Sequence, residues 1–287
     1  QTSAISGNSS IRIQGLDGRY TQILKDGFPV FSGAASGLGL LQTPPLDLKQ
    51  VEIIKGSSST LYGGGAIAGL VNLISKTPEK ERDFSIHLNG TTAKGLDVNS
   101  FFGQKFNKVG TTVFASYNRN WAYDPSNVGF TAIPKFDRFV LNPKLFLYLS
   151  DNTDFSFGIN SMIENRLGGD LKYVEGKGNE DHSYFERNKT QRHSSQLTFD
   201  HRFDRQNRLN VKNSVTYFSR KLEIPDFRFD GDQLSSFSEV SYIRTEEKTE
   251  WVVGANVWTD KFTEKKRTDF QLRDYNTTTL GLFLQNN

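Results

Sequence analysis

His182 and the acidic residues beside it are the side chains in this sequence most suggestive of metal chemistry. Glu180, Asp181 and His182 are consecutive, so they could hold a metal ion in a loop, although the sequence does not favour this interpretation. None of the four histidines has the His-Glu-x-x-His spacing of a helical zinc site, and there is no cysteine to supply a thiolate ligand. The sequence therefore predicts no catalytic centre, no resident metal and no cofactor.

A glycine-rich stretch offers a second possible chemistry, the binding of phosphate. Lys55-Gly56-Ser57 precedes the cluster Gly63–Gly65, but a P-loop requires the order Gly-Lys-Ser/Thr, which is absent. Glycines also permit positive φ and close approach of two backbones. We interpret these residues as a tightly folded segment, with an ordinary turn as the alternative.

The composition is that of a polar chain with many aromatic residues. Among 287 residues, 36% are hydrophobic, and there are 23 Phe, 10 Tyr and 3 Trp. No apolar run approaches the roughly 20 residues that a transmembrane helix needs. Aromatic residues on a polar background suit strands with one apolar face. The net charge of +3 gives little reason to expect nucleic-acid binding.

Residues 1–78 have the pattern of a small α+β unit. A turn is expected at Lys25-Asp26-Gly27, where a strand ends in a turn sequence. Short helical turns are expected at Leu46–Lys49 and at Ser58–Leu61, where serines could cap the N-terminus. The strands are predicted at Ile11–Gln14, Gln22–Lys25, Val51–Lys55 and Leu70–Ser75.

From Asp83 onward the sequence changes to long strands with a period of two. Phe155, Phe157 and Ile159, for example, alternate with small or polar residues. Polar residues such as Lys212 occupy the intervening positions of other strands and must face water or another polar surface. About ten strands are predicted, beginning near residues 83, 96, 110, 135, 153, 189, 207, 233, 249 and 274.

The connections between these strands alternate in length. Short turns and long loops at opposite ends are typical of an outer-membrane β-barrel. A soluble β-sandwich also alternates, but its strands are usually about five or six residues long, shorter than these. The short links are predicted at Asn107–Val109, Ser150–Asn152, Asp204–Asn207 and Thr245–Lys248, and the long ones at 122–134, 165–188, 222–232 and 263–273.

A barrel of only ten strands would not have room inside it for the unit formed by residues 1–78. A barrel of about eight strands is filled by its own side chains, and ten leave little more room, whereas one of about 22 can enclose a plug. We therefore expect the later part of a plug at residues 1–78, followed at 79–287 by about 10 of 22 strands of a transmembrane antiparallel β-barrel. No signal peptide precedes Gln1, and the chain stops after an apolar strand, so we expect both ends of the protein to be missing.

Three segments resemble one family. Residues 51–76, VEIIKGSSSTLYGGGAIAGLVNLISK, closely resemble the plug signature of TonB-dependent outer-membrane receptors. Ile23–Val30 resembles the strand and turn before the apical loops of that plug, and Leu46–Lys49 resembles the short helix before the signature. The order and spacing agree over much of residues 1–78, while the later strands agree in pattern only.

This resemblance implies active import across the outer membrane of a Gram-negative cell. The expected cargo is a ferric siderophore or similar bulky iron chelate, with cobalamin or oligosaccharide import as alternatives. The expected partners are that ligand, outer-membrane lipid, and TonB, which would engage a segment preceding this chain. A passive porin or adhesin barrel would lack the signature at 51–76, and a soluble β-rich protein would pair its apolar faces.

The resemblance also suggests where a ligand would bind. The apical plug loops would contribute Arg19, Tyr20, Phe31, Ser32, Ser36 and Gln42. The long loops of the barrel would contribute Trp121, Tyr123, Tyr173, His182 and Tyr184, unless these are aromatic residues of the membrane interface. Four charged residues are expected to hold the plug to the barrel wall: Asp26, Glu52, Lys55 and Lys76.

Overall fold

The fold was examined in a computed structural model. It describes residues 11, 13, 15–16, 20–30, 43–56, 66–265 and 273–286. These residues form two β-sheets, one of four strands and one of ten. Within the described ranges, no helix is long and apolar enough to cross a membrane.

The first sheet is mixed and is built from residues 21–75. Its strands lie in the order β2-β1-β4-β3; β1 is parallel to β4, and the other pairs are antiparallel. Their bounds are β1 Thr21–Lys25, β2 Phe28–Pro29, β3 Leu48–Lys55 and β4 Gly69–Ser75.

A two-residue turn joins β1 to β2, as the sequence predicts. Asp26 and Gly27 both have positive φ, 55° and 76°, which is the backbone that a type I′ hairpin turn requires. The turn is fixed to β4, because the Gly27 N–H donates to Asn72 Oδ1 at 3.0 Å and the Asp26 N–H donates to the Leu73 carbonyl at 2.9 Å. The turn therefore projects in one defined direction.

The helical turn expected at Leu46–Lys49 is wrong. Leu46 and Asp47 form a turn, and β3 begins at Leu48, which pairs with Ser75. The Asp47 carboxylate accepts a hydrogen bond from Lys25 Nζ at 2.6 Å, which holds this turn against β1. The helical turn expected at Ser58–Leu61 lies outside the described residues, as do two residues of the strand expected at Ile11–Gln14.

The core of the first sheet is small. Ile13, Ala68, Val71 and Leu73 are buried together. Burial of a few aliphatic side chains supplies only a modest hydrophobic contribution. Contacts with the second sheet must therefore contribute to the stability of this unit.

The second sheet is a purely antiparallel series in which each strand pairs with the next along the chain. A short helix, α1 Leu171–Val174, lies in the connection between its fifth and sixth strands. The bounds are β5 Asp83–Gly90, β6 Gly95–Phe106, β7 Val109–Asn120, β8 Lys135–Ser150, β9 Thr153–Gly169, β10 Phe185–Arg202, β11 Asn207–Ile224, β12 Phe227–Thr245, β13 Glu250–Glu264 and β14 Tyr275–Asn286.

The two faces of this sheet differ. We call the face that contacts the first sheet the inward face; it carries residues such as Asn142, Lys144 and Gln196. The opposite, outward face carries the apolar residues of the alternating pattern, including the exposed Phe157 and Ile159. This arrangement confirms the period of two and shows that the polar positions face the first sheet.

The predicted connections are mostly confirmed. Short links occur at 107–108, 151–152, 203–206 and 246–249, and long ones at 121–134, 170–184 and 265–274. The loop expected at 222–232 is wrong, because β11 continues to Ile224 and β12 begins at Phe227. Only Pro225 and Asp226 connect them, with Asp226 at φ 63°. The strand expected near residue 189 begins earlier, at Phe185.

Candidate functional site

The first sheet docks on the inward face of the second through polar contacts at the β1–β2 turn. Lys144 Nζ lies 3.2 Å from Asp26 Oδ2, and Asn142 Nδ2 donates to Asp47 Oδ2 at 3.0 Å. Gln196 Nε2 donates to the Lys25 carbonyl at 3.4 Å. Residues far apart in sequence are thus joined by hydrogen bonds, and the fully buried Phe28 lines one small pocket together with Val140 and Met162 of the inward face.

Asp26 is ionised in this environment. Burial raises the pKa of its carboxyl. The Lys144 ammonium and the Ser75 backbone N–H, which donates to Oδ1 at 2.7 Å, lower this pKa by more than burial raises it. The net effect is a pKa below the usual value of 3.8. The salt bridge between Asp26 and Lys144 is therefore present at neutral pH.

The four charged residues expected to contact the wall have different positions. Lys76 Nζ lies 3.0 Å from Asp83 Oδ2 and 4.6 Å from the ring centre of Phe101, so Lys76, like Asp26, reaches the second sheet. Glu52 instead accepts hydrogen bonds from residues of its own sheet, Gln50 and Asn72. Lys55 is exposed at the end of β3.

Nearer the long connections, the inward face carries a buried cluster of three charges. Glu164 lies 2.7 Å from Arg138 and 3.2 Å from Arg166, and both guanidinium groups also lie close to the Phe136 ring, at 5.3 and 5.1 Å from its centre. Glu164 is only 1% exposed. Two arginines thus share this carboxylate, and Glu186 of β10 also interacts electrostatically with Arg166.

A cavity of about 440 Å³ lies farther along the same face, at the end where the long connections are found. Its aromatic walls are stacked: the ring centres of Phe229 and Phe262 are 6.1 Å apart, and those of Phe262 and Tyr275 are 5.5 Å apart. Strand register places these side chains on the inward face. The cavity is lined by Arg220, Leu222, Phe227, Phe229, Phe262, Arg273 and Tyr275.

Two arginines line this aromatic cavity, and each has an acidic neighbour, Glu264 for Arg273 and Glu186 for Arg220. Arg273 forms a bidentate contact with Glu264, with distances of 2.6 and 3.0 Å, and these hydrogen bonds raise the pKa of Arg273. Its guanidinium also lies 5.2 Å from the ring centre of Phe229. Arg220 Nε donates to Asn188 Oδ1 at 3.3 Å. Guanidinium groups beside stacked rings can bind a ligand that is both anionic and planar.

The sequence did not identify this cavity. Leu222, Phe227 and Phe229 fell in the loop wrongly expected at 222–232, and Arg273 fell in the connection at 263–273. The available signal was the alternation of Phe227 and Phe229 with charged residues, which continues the period of two.

The two long connections that carry the suggested residues contact each other. Tyr184 packs near Phe130, with ring centres 6.1 Å apart, so the connections 121–134 and 170–184 touch. His182 lies between Asp170 and Lys172, with its Nδ1 2.7 Å from Asp170 Oδ2 and its Nε2 2.9 Å from Lys172 Nζ. Within the described ranges, no cluster of three or more His, Cys, Asp or Glu residues could hold a metal ion.

Three further aromatic residues of these connections have individual positions. Tyr123 pairs with Ile133 across its own connection. Trp121 lies 5.0 Å from the guanidinium of Arg119. Tyr173 stacks on Phe185 at 4.6 Å, and strand register places Phe185 on the outward face. These residues line neither the 440 Å³ cavity nor its rim, and their assignment to ligand binding stays a prediction.

Most of the residues suggested at the plug apex lie outside the described residues: Arg19, Phe31, Ser32, Ser36 and Gln42. Tyr20 is described and exposed, and its carbonyl accepts a hydrogen bond from the Ala68 N–H at 2.9 Å. That bond fixes the start of β1 beside β4. The role of these residues stays a prediction.

Comparison with known families gives the first sheet its identity. Residues 1–70 match the model of the TonB-dependent Receptor Plug Domain. This part of the chain is therefore a plug domain of the kind found in TonB-dependent receptors. The first sheet is therefore called the plug, and its position against the inward face of the ten-stranded sheet agrees with the expected arrangement.

Solved structures share the fold of the plug and the sheet together. The alcaligin outer membrane receptor FauA from Bordetella pertussis has a TM-score of 0.74 and 15% identity, covering 99% of this chain and 48% of that one. The siderophore receptor PirA from Pseudomonas aeruginosa has a TM-score of 0.69 and 16% identity, with the same coverages of 99% and 48%. The copper transporter OprC has a TM-score of 0.72 and 13% identity, covering 98% and 44%. The chain thus spans about half the length of the structures it matches.

Proposed function

We propose that this chain is part of a receptor that imports a bulky, anionic iron chelate across the outer membrane of a Gram-negative cell. The observation that carries the proposal is the inward-facing cavity of arginine and aromatic residues. It lies on the same face of the sheet as the docked plug and at the end with the longer connections. A ligand held there would lie between the cell exterior and the plug.

The outward face supports a position in the membrane. Leu280, Leu282 and Leu284 of β14 are 76%, 89% and 63% exposed, and an apolar row this exposed needs lipid or another apolar surface to cover it. In bacterial barrels the shorter turns are periplasmic and the longer loops extracellular. The cavity would therefore open towards the outside of the cell.

The cargo is inferred from the chemistry of the cavity. Iron chelates made from catechol or carboxylate groups are planar or anionic, and both properties match guanidinium groups beside stacked rings. A neutral oligosaccharide would leave the guanidinium groups without an anionic partner from the ligand, and cobalamin is the main competitor. Siderophore receptors and a copper transporter share this fold, so the cavity rather than the fold carries the assignment of cargo.

Import also needs a way to move the plug. We propose that TonB engages a segment preceding the residues discussed here and pulls on the plug. The polar contacts of Asp26, Asp47 and Lys25 with the sheet support this step, because such contacts can be exchanged for water at a modest cost in free energy.

Ligand titration tests the proposed cargo. The natural full-length protein in outer-membrane vesicles would be titrated with a ferric catecholate, ferric citrate and cobalamin, using intrinsic tryptophan fluorescence. We expect saturable quenching by an anionic ferric chelate. In the double variant Arg220→Gln, Phe229→Ala, affinity should fall about tenfold or more, because a cation and an aromatic contact are lost together.

The matched control is Phe157→Ala, which removes an aromatic residue from the outward face and should leave affinity unchanged. Unchanged affinity in the double variant would contradict the assignment of the cavity. Quenching by cobalamin alone would retain a receptor but contradict an iron cargo.

A further inference from the structure

Arg192 is a buried arginine on the inward face of β10, between the aromatic cavity and the plug contacts. It pairs across the strands with Phe218 of β11, and Arg220 of the aromatic cavity lies two residues from Phe218 on the same face. Residues in this diagonal relation are about 7–8 Å apart. In the other direction along β10, Gln196 reaches the plug at the Lys25 carbonyl. Arg192 therefore lies one step from the aromatic cavity, on the side of the shorter turns.

The β1–β2 hairpin of the plug covers Arg192. Phe28 and Pro29 of the hairpin line a cavity of about 60 Å³ together with Arg192, and Phe28 and Arg192 are only 1% and 7% exposed. A cavity of this size has room for only a few water molecules, so it is far too small for a chelate. The Arg192 guanidinium also lies 5.0 Å from the Phe218 ring centre, which holds it against the wall. Arg192 is thus concealed for as long as the hairpin stays in place.

The wall around Arg192 carries amide and hydroxyl groups rather than carboxylates. Among the inward-facing residues of its own row (residues paired across neighbouring strands) and of the next row towards the shorter turns, Arg192 is the one charged residue from β8 to β11, all of which are described. The plug carboxylates that touch this wall, Asp26 and Asp47, belong to the part that would move. An anion on the wall would then meet donors with no competing carboxylate. The other members of the two rows are Val140, Met162 and Phe218, followed by Asn142, Asn160, Ser194 and Thr216.

Ser194 and Thr216 form the part of this wall directly beyond Arg192. They pair across β10 and β11, and the Thr216 hydroxyl donates to Ser194 Oγ at 2.9 Å. A hydroxyl that accepts one hydrogen bond can still donate its own hydrogen. The wall therefore offers a neutral donor next to the guanidinium. Donors of this kind suit the passage of a ligand, which must be bound strongly enough to enter and weakly enough to leave.

We propose that Arg192 is a second binding residue for the anionic chelate and is uncovered when the plug hairpin moves. The chelate first occupies the aromatic cavity beside Arg220, and it then binds Arg192 and the hydroxyl groups of Ser194 and Thr216 in the space that Phe28 leaves. Because Arg192 is concealed at rest, it affects the rate of passage and not the affinity of the resting receptor. The inference rests on the proposed function for its cargo and for the movement of the plug.

Uptake kinetics test the inference. The natural full-length protein would be produced in its host without other receptors for the probes, which are radioactive ferric citrate and a radioactive ferric tris-catecholate. Binding would be measured in de-energised cells and uptake in energised cells. In Arg192→Gln the maximal rate of uptake should fall about tenfold, because a charged hydrogen-bond donor is lost. The half-saturating concentration and the resting affinity should both be unchanged.

Two variants separate the charge of Arg192 from its packing. Arg192→Lys should keep the rate of uptake within about threefold of the parent, because an ammonium still binds anions as a point charge. His193→Gln is the matched control, since His193 is the next residue on β10, faces outward and has its Nδ1 2.9 Å from Ser161 Oγ. Its uptake should equal that of the parent.

The double variant Ser194→Ala, Thr216→Val tests the same wall without removing a charge. It removes both partners of one hydrogen bond, a change that is nearly neutral for folding. The maximal rate of uptake should fall about threefold, again at unchanged resting affinity. This variant provides the test if Arg192→Gln does not insert into the membrane.

Parental rates of uptake in Arg192→Gln, or in the double hydroxyl variant, would overturn the inference. Equal losses in the glutamine and lysine variants would also overturn it, by showing a packing role. A fall in resting affinity as large as the fall in uptake would place Arg192 in the resting site instead. If the parent binds neither chelate, the proposed function fails and this inference with it, whereas normal binding with parental uptake in the variants refutes the inference alone.

Discussion

The two faces of β11 and β12 near the longer connections are both polar, yet they differ in chemistry. The inward face presents Arg220 beside stacked rings such as Phe229, whereas the outward face presents Lys221 beside Asp230. Neighbouring residues in one strand thus face different surroundings, a cavity of arginine and aromatic residues on one side and a surface of paired charges on the other. Alternation in a strand can therefore separate two polar surfaces of different chemistry, as well as apolar from polar positions.

The largest expected difference between the faces is in how much the free energy of unfolding falls when one carboxylate is removed from each face. Glu164→Ala leaves Arg138 and Arg166 buried without their carboxylate and should destabilise the protein by about 3–5 kcal/mol. Glu223→Ala, which breaks the partly exposed pair with Arg187 on the outward face, should cost about 1 kcal/mol or less. Urea unfolding in lipid vesicles, followed by tryptophan fluorescence, measures both. Equal losses would mean that the two faces do not differ in burial as described.

A smaller effect is expected when pH is varied, and it concerns the plug contact on the inward face. The pKa of Asp26 is lowered in the folded protein, so its contribution to stability is fully present above about pH 4 and is lost as the pH falls through the folded-state pKa. Asp26→Asn should be less stable than the parent at pH 7 and should show a weaker dependence on pH in this range. Unfolding of both proteins between pH 2 and pH 7 measures this. Parallel pH profiles would contradict an ionised Asp26 paired with Lys144.

Much of the second sheet could be predicted because half of its alternation is strongly apolar. In strands such as Thr153–Gly169 the apolar positions face outward and the polar ones face the plug, and the predicted start near residue 153 is confirmed. The apolar alternation is weaker at 222–232, where many residues are polar or charged, so this segment was predicted to be a loop. Pro225 and Asp226 also favour a loop, although they form only a two-residue turn.

Other parts depended on contacts that are distant in sequence. The segment Leu46–Lys49 has no strong local preference, and its conformation is set by pairing of β3 with β4 and by the bond between Lys25 and Asp47. Similarly, the inward cavity combines Arg220 with Phe262 and Tyr275 from three strands. Their proximity follows from register, which local patterns specify only weakly.

The most direct test of a sheet with one lipid face and one plug face is nitroxide scanning along β13. This chain contains no cysteine, so single cysteines at residues 251–253 and 255–257 can be spin-labelled individually in a full-length protein without other cysteines, in vesicles; Gly254 is left unchanged because a side chain there would meet Phe283 and the Val240 carbonyl. Collision with oxygen, which concentrates in the bilayer, should be high at Trp251, Val253, Ala255 and Val257 and low at Val252 and Asn256. A uniform profile, or one with the opposite phase, would contradict the two-faced sheet.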